Sequence, residues 1–380
     1  MGMSASSFQQ QAWKRLRRNK GAMGGLVVIA IAILAGIFAY FIAPDHTPFA
    51  NGMVLEISGQ KPGFSIDMLA LQKPQPAPRR GWFHRLVYGQ ESPVTLVPLK
   101  SWALAGDSVH VQKYVDEATA QGQSYSLGQV LYGKDTLLAD LPAAQETLRR
   151  RHLQTHRYWL GTDKFGRDIL SRLLVGTRVS LSVGCIAVLI SLTIGIFLGA
   201  VAGYFRGVAD EAVMWLINVI WSVPTLLLVF AITLALGKGF WQVFVAVGLT
   251  MWVSVARIIR GQVLGLRELQ FVEATRALGY GHFRTITRHI LPNILGPVMV
   301  VAAGNFATAI VVEAGLSFLG VGVQPPQPSW GLMIKENYNF IITHNPLLAL
   351  APGFAIMLLV LAFNLLGNGL RDAMDVKGRI

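Results

Sequence analysis

The sequence predicts an all-α polytopic membrane protein of six transmembrane helices, with a large extracytoplasmic insertion between helices 1 and 2. Three observations carry that fold class. The chain of 380 residues is 53% hydrophobic and only 14% charged, with a mean hydropathy of +0.48, whereas soluble domains carry about one quarter charged residues. Its apolar residues fall into six long blocks, each near the roughly 20 residues that cross a hydrocarbon core of about 30 Å. Basic charge also alternates between the short loops, as the positive-inside rule requires.

The N-terminal segment 1–20 carries Lys14, Arg15, Arg17, Arg18 and Lys20, which holds it in the cytoplasm. The first block covers residues 21–43. Its basic flank is that of a signal peptide, but the apolar stretch exceeds the usual 7–15 residues. No clean small-x-small site precedes the break at Pro44, so the block reads as a retained anchor. A membrane-spanning core at 179–370 holds the other blocks: 179–203, 212–236 (with Pro224), 240–258, 292–318 and 347–366. The loop 259–291 and its approach carry Arg257, Arg260, Arg267, Arg276, Arg284 and Arg288 against Glu268 and Glu273, and read as cytoplasmic. The outward loop after the third block has only Lys238, and Arg206 against Asp210 and Glu211 leaves the loop after the second uninformative. Six spans return the tail 371–380, with Arg371, Lys377 and Arg379, to the cytoplasm.

The insertion 44–178 is expected outside, since long loops translocate largely regardless of charge. Lys73-Pro-Gln-Pro-Ala-Pro-Arg-Arg80 reads as an exposed linker. Residues 141–152 read as a helix capped by Asp140, with Pro142 in the first turn. Residues 167–175 are amphipathic and are expected along the membrane surface ahead of the second span. No repeat is visible, and no disordered tract beyond the first dozen residues.

The net charge of +13 and pI near 10.1 would suit a nucleic-acid binder, but no such motif accompanies them. Nucleic acid is therefore not an expected partner; membrane lipid is. Cys185 is the single cysteine, which excludes a disulfide framework and a Cys-rich metal site.

The informative stretch follows the fourth block. Arg267-Glu-Leu-Gln-Phe-Val-Glu-Ala-Thr-Arg-Ala-Leu-Gly279 reads as a helix stopped by a left-handed glycine. A second short helix follows and ends before Pro292, which can open the fifth span. Phe271, Ala274 and Leu278 share one face at helical spacing. A cytoplasmic helix–Gly–helix hairpin with an apolar face and a basic rim can dock into a partner's groove and pass on rigid-body motion.

At these residues the chain resembles the permeases of bacterial ABC importers. Their "EAA" loop reads Glu-Ala-Ala, three residues, Gly, then Ile-x-Leu-Pro. This chain has Glu273-Ala274-Thr275, Arg276-Ala277-Leu278 and Gly279; Thr275 replaces the second alanine, and Ile290-Leu291-Pro292 lacks the spacer. The resemblance implies that Glu273, Ala274, Thr275, Ala277, Leu278 and Gly279 couple the chain to an ATPase. Leu160-Gly-Thr-Asp-Lys-Phe-Gly-Arg-Asp-Ile-Leu-Ser-Arg172, Glu313-Ala-Gly-Leu-Ser-Phe-Leu-Gly320, Pro325-Pro-Gln-Pro-Ser-Trp-Gly331 and Asn364-Leu-Leu-Gly-Asn-Gly-Leu-Arg-Asp-Ala-Met-Asp375 narrow it. They resemble the second permease of dipeptide, oligopeptide and nickel transporters. The resemblance implies a type I importer fold in the inner membrane, a second homologous permease subunit, two ATPase subunits and an extracytoplasmic substrate-binding protein. It implies no cofactor in this chain, ATP and Mg being bound by the ATPases. Residues 44–157 make this stretch longer than is usual in that family, so its role stays open, as does the cargo, whether dipeptide, longer peptide, nickel or another solute.

Other features have a plainer reading. Gly128-Gln-Val-Leu-Tyr-Gly-Lys-Asp135 nearly fits a P-loop, but Asp135 stands where the Mg-binding hydroxyl belongs. Gly195, Gly199 and Gly203 form the small-residue pattern that packs helices closely in lipid. Glu313, near the outer end of the fifth span, is either a structural hydrogen-bonding group or part of the substrate path. Asn218, Trp221 and Ser222, beside Pro224, are candidates for that path as well. His282 and His289 are seven apart with no third ligand spaced with them, so metal is not expected. An ion-gradient-driven secondary transporter is the alternative, but it calls for internal repeats and midplane ionisable groups. A membrane enzyme calls for H-E-x-x-H, G-x-S-x-G or paired intramembrane carboxylates. None of these is present in the sequence.

Overall fold

The computed structural model of the protein describes residues 5–374 apart from residues 76, 137, 238 and 344. Lys238, Lys377 and Arg379, used above to orient the loops, lie outside the described residues. Helix α1 (Ala5–Arg18), where only the first dozen residues were read as disordered, leads into α2 (Lys20–Ile37) and α3 (Ala39–Ile42). The insertion then forms β1 (Phe64–Gln72), α4 (Trp82–Tyr88), β2 (Val94–Ala105), β3 (Ser108–Tyr114), β4 (Ala120–Ser126), α5 (Leu127–Tyr132), α6 (Leu141–Thr147) and β5 (Leu153–Tyr158). There follow α7 (Ile169–Phe205), α8 (Gly207–Trp221), α9 (Thr225–Leu236), α10 (Phe240–Arg267), α11 (Gln270–Ala277), α12 (His282–Thr285) and α13 (Leu295–Phe318). The chain closes with α14 (Trp330–Asn337), α15 (Phe340–Thr343) and α16 (Leu347–Met374). Two compact units emerge, one of Met1–Leu34, Val179–Gln324 and Phe354–Ile380, the other of Ala35–Arg178 with Pro325–Gly353.

The first unit is helical. Among the described residues, five helices are long and apolar enough to cross a membrane, or six if the pair α8 and α9 counts as one span. The block 212–236 is therefore not one straight span. It breaks into α8 and α9, bent by 91° at Pro224, whose ring removes a backbone donor and disfavours helix at the preceding residue. Ser222 caps the break, its amide donating to the Asn218 carbonyl at 3.0 Å and its hydroxyl to the Val219 carbonyl at 2.7 Å. Helix α10 runs past the expected end of the fourth apolar block to Arg267, so Arg257, Arg260 and Arg267 ride on the helix. Arg260 donates to both carboxylate oxygens of Asp210, Nη2 to Oδ2 at 2.6 Å.

Helix α7 presses on α10 through the glycines the sequence pattern singled out. A Cβ at Gly195 would lie 2.5 Å from Val255 Cβ, at Gly199 2.5 Å from the Ala256 carbonyl oxygen, and at Gly203 2.8 Å from the Arg260 carbonyl oxygen. No side chain fits those gaps, so the backbones meet as the small-residue pattern predicts. Beside this seam, Val183, Ala187, Val243, Phe244, Val247 and Ala309 form a buried apolar core.

The second unit overturns the all-α class for the insertion, which holds a five-stranded antiparallel sheet among the described residues, in the order β4-β3-β2-β1-β5. Strand β1 lies inside the sheet, pairing Leu69 with Val97 on one side and with Leu153 on the other. Both of its faces are covered: Leu69 packs with Val97, Val109, Leu127 and Leu148, and Ile66 and Met68 pack with Val54, Ile57 and Tyr158. Burial on two faces erases the period-two alternation that marks a strand in sequence. Pro98 further disguises β2, where a proline is tolerated beside the register shift between Leu99 and Ser101. The helix expected at 141–152 is present as α6, with Asp140 Oδ1 accepting from the Ala143 amide at 3.1 Å. It continues as a wider turn over Leu148–His152.

The segment 167–175 does not lie along a surface. Arg167 and Arg172 are 1% and 0% exposed, because they belong to a buried ion-pair cluster with Asp163 and Glu336. Arg167 donates from Nε to Asp163 Oδ2 at 2.6 Å and from Nη2 to Glu336 Oε2 at 2.7 Å. Arg172 Nη2 reaches Glu336 Oε2 at 3.4 Å. Asp163 Oδ1 also accepts from the amides of Phe165 and Arg167 at 2.8 and 3.0 Å, which folds Gly161–Asp168 into a tight turn. Gly166 completes it at φ 70°. A Cβ there would lie 1.7 Å from the Val54 carbonyl oxygen.

Two substitutions test these packing arguments. Gly199→Leu should destabilise the purified subunit by about 1–3 kcal/mol, the usual cost of overpacking, read as a lower melting temperature. Gly261→Ala, with nothing within 4 Å of the new Cβ, should melt at or above the parent, and equal melting of the two variants would refute close packing at α7. Glu336→Gln should cost about 3–5 kcal/mol, since it leaves two buried guanidinium groups under-compensated. Its yield of monodisperse protein should fall accordingly; unchanged yield and melting would remove the cluster's structural role.

Candidate functional site

Helix α11 supplies the first arm of the hairpin. Its end closes as a Schellman motif: the Tyr280 amide donates to the Thr275 carbonyl at 3.0 Å and the Gly279 amide to the Arg276 carbonyl at 2.9 Å. Gly279 sits at φ 76°, the left-handed conformation expected of it, which a Cβ disfavours. The chain then reverses into α12 and passes through Ile286–Ile290 and the tight turn Leu291–Ile294, which holds Pro292, into α13. The second arm thus runs into α13 with hardly a break.

The two arms touch through Thr275, the residue that replaces the second alanine of the EAA pattern. Thr275 and Thr285 are buried, with their hydroxyl oxygens 3.4 Å apart. Thr275 Oγ1 also donates to the Val272 carbonyl at 2.7 Å, so the polar atom is satisfied within its own turn. Val272, Ile290 and Ile294 seal the hairpin onto Ala200, Val255, Ile259 and Val263.

Tyr204, in the last turn of α7, is the seat. Its hydroxyl lies 3.1 Å from His282 Nδ1, and its ring meets the His282 ring edge-on at 5.5 Å. The Arg276 guanidinium stands 5.3 Å from the Tyr204 ring centre, and Arg267 donates to the Tyr204 carbonyl. Nothing in the sequence links Tyr204 to His282, since only the fold brings residues so far apart in the chain together. His289 stacks instead on Tyr280 at 5.7 Å, so the two histidines have separate partners.

With its inner face seated, the hairpin presents Phe271, Glu273, Ala274, Ala277 and Leu278 outward. Leu278 is 70% exposed, and Phe283 on the second arm 81%. Phe271, Ala274 and Leu278 therefore form the apolar face that helical spacing placed together. Glu273, Arg276, Arg284 and Arg288 on the same two arms are exposed as well.

The remaining candidates fall into two places. Asn218 and Trp221 are brought together by Arg257, whose Nη2 lies 3.4 Å from Asn218 Oδ1 and whose guanidinium lies 3.6 Å from the Trp221 ring centre. Sequence reading counted Arg257 only as loop charge and missed this pairing. Ser222 is exposed next to them but bonds within its own helix end. Glu313 is apart, fully buried on α13, with Oε1 accepting from Ser317 Oγ at 2.6 Å. Ser317 Oγ in turn accepts from the Val323 amide at 3.0 Å. The near-P-loop forms helix rather than a phosphate cradle. Residues 127–132 are α5, Ser126 caps it, and Asp135 Oδ1 accepts from Ser126 Oγ at 2.5 Å.

Comparison with known proteins bears on the family of the chain. Residues 195–379 match the family model described as the binding-protein-dependent transport system inner membrane component, and residues 7–55 match the N-terminal TM domain of oligopeptide transport permease C. The glutathione transport system permease protein GsiD of Pectobacterium atrosepticum is 43% identical over 220 residues, 58% of this chain and 73% of that protein. The dipeptide transport system permease protein DppC of Bacillus subtilis is 41% identical over 222 residues, 58% of this chain and 69% of that protein. The oligopeptide transport system permease protein OppC of the same organism is 39% identical over 222 residues, 58% of this chain and 72% of that protein. A solved structure of the MetNI methionine ABC transporter aligns with 53% of this chain and 95% of that one, at a TM-score of 0.44 and 19% identity. The chain belongs to the family of binding-protein-dependent transport system inner membrane components, the multi-pass permease subunits of ABC importers whose ATPase is a separate subunit.

Proposed function

We propose that this chain forms half of a translocation pathway for small peptides and is driven by a separate ATPase through the hairpin after α10. The carrying observation is the hairpin's geometry, with one face sealed onto α7 and α10 and the other presenting Phe271, Ala274, Leu278 and Phe283 beside Glu273. A partner groove that buries those side chains gains affinity from apolar area and registry from the carboxylate. In this reading two ATPase subunits bind ATP and Mg, one docking here and one on a second homologous permease, and an extracytoplasmic binding protein delivers the cargo. A peptide substrate is supported by the relatives that carry dipeptides, oligopeptides and glutathione in their names.

The second permease also accounts for Asn218, Trp221 and Ser222, which are exposed on a membrane-embedded helix pair. Polar groups facing lipid are costly, so such a face calls for a protein partner or a water-filled path. The burial of Glu313 and its bond to Ser317 favour a structural role for that carboxylate. We read α8 and α9 as one broken span, giving six, with both termini cytoplasmic and the insertion outside.

Coupling is tested by pull-down of the assembled transporter. Gly279→Asp adds the left-handed penalty of about 1–2 kcal/mol and a charge at the turn, and should lose most co-purified ATPase and uptake. Glu273→Ala removes one charge-assisted contact, about 1.5–3 kcal/mol, and should weaken ATPase retention by roughly ten- to a hundredfold. Normal ATPase binding and uptake in Gly279→Asp would show that the hairpin is not the coupling element. Topology is tested with Cys185→Ala as background. Ser101→Cys should react with an impermeant thiol reagent in outer-permeabilised cells and Phe283→Cys only after the inner membrane is opened. The reverse labelling pattern would invert the orientation.

A further inference from the structure

Helix α4 has no place in the coupling argument, yet its composition and setting are unusual. Seven residues are too few for a stable isolated helix in water, and none of the seven is buried. Trp82 is 64% and Phe83 70% exposed, and Tyr88 and Val87 are exposed beside them. Arg79 and Arg80 precede the helix and Arg85 lies within it. A short helix that shows aromatic side chains on every exposed turn needs an apolar medium to cover them.

Its neighbours indicate which medium. Trp82 stacks on Phe41 with ring centres 6.5 Å apart, and Arg85 lies 5.7 Å from the same ring centre. Phe41 belongs to the end of the first span, where Ile37, Phe38 and Ile42 are exposed as well. Helix α2 has 18 residues, about 27 Å at 1.5 Å per residue, close to the roughly 30 Å of a hydrocarbon core. Residues just beyond Ile37, and with them Trp82, therefore stand at a membrane–water boundary. This holds whichever way the chain is oriented.

Arg178 fixes α4 at that level. Its Nε donates to the Gly36 carbonyl at 2.5 Å, and Nη2 to the Ile37 and Leu86 carbonyls at 2.7 and 2.5 Å. Nη1 donates to the Val87 carbonyl at 2.8 Å, and the guanidinium lies 4.6 Å from the Tyr40 ring centre. One cation thus caps the carbonyl ends of α2 and α4 together, where orphan acceptors and the helix dipole both favour positive charge.

We propose that α4 is a membrane-surface anchor that seats Trp82, Phe83 and Tyr88 at the headgroup–acyl boundary where the first span ends, with Arg79 and Arg80 against lipid phosphates. Tryptophan and tyrosine favour that boundary, and a short amphipathic helix with a basic flank binds there by apolar burial plus attraction to anionic lipid. The anchor holds the start of the insertion at the membrane surface. Its occupant is lipid rather than protein because the aromatic face continues the lipid-exposed apolar surface of a span.

The test uses the assembled transporter in nanodiscs of phosphatidylethanolamine and phosphatidylglycerol, with Cys185→Ala as background. Phe83→Cys and, as a second position, Val87→Cys carry an environment-sensitive fluorophore. Tyr132→Cys, exposed on α5, serves as the aqueous reference. The α4 adducts should emit to the blue of the reference, lose most of their emission when the lipid is brominated near the headgroup end of its chains, and resist iodide. Emission, iodide quenching and lipid quenching at both positions equal to those at Tyr132→Cys would overturn the proposal. Shielding from iodide without quenching by brominated lipid would overturn it as well, because a protein would then cover the helix.

Discussion

The backbone approach between α7 and α10 is the constraint on which the rest of the transport unit depends. In lipid the tails are as apolar as leucine, so helices associate through close van der Waals contact rather than through expulsion of water. Gly195, Gly199 and Gly203 recur every four residues and so line one face of α7. Opposite them stand carbonyl oxygens and β-branched side chains of α10. That seam brings the end of α10 to the end of α7, where Arg267 meets the Tyr204 carbonyl and Tyr204 receives His282. The hairpin therefore rests on two helices whose spacing is set by absent side chains.

The second unit is held by opposite means. Its motif turn buries Asp163, Arg167 and Arg172 with Glu336, two carboxylates against two guanidinium groups. Arg172 Nε and Nη1 still have no hydrogen-bond partner, so desolvation is only partly offset by Coulomb attraction. Such a cluster does little for stability compared with an apolar core of the same volume. It does tie the turn before α7 to α14 in one register, because misplacing any member exposes an uncompensated charge to a dry environment. The apolar cores on both faces of β1 supply the stabilisation that the charges do not.

Much of this was legible in advance where short-range chemistry decides structure. Asp140 caps α6 because its carboxylate reaches an amide three residues on, and Gly279 turns left because the helix ends there. The glycine ladder of α7 packs closely because a four-residue spacing places all three on one face. Phe271, Ala274 and Leu278 share a face for the same reason. The sheet was not legible, since β1 is buried on both faces and Pro98 interrupts β2. The pairing of Arg257 with Asn218 and Trp221 was hidden for a related reason: an arginine near the end of a span reads as a topology signal whatever it touches.

The sequence by itself determined the membrane class, the helices long enough to span, the hairpin with its glycine turn and the family, because each follows from composition, helical period or a contiguous motif. Only the tertiary structure decided the rest. Arg167 and Arg172 look amphipathic in sequence and become core only when Glu336, far along the chain, arrives to neutralise them. The block 212–236 looks continuous in hydropathy and bends by 91° at one proline, because apolarity measures length and says nothing of direction. Tyr204 looks like any tyrosine at a helix end until His282 is placed against it. For the arginines and for Tyr204 the physical reason is the same: such contacts join residues remote in sequence, so no local pattern records them before the chain has folded.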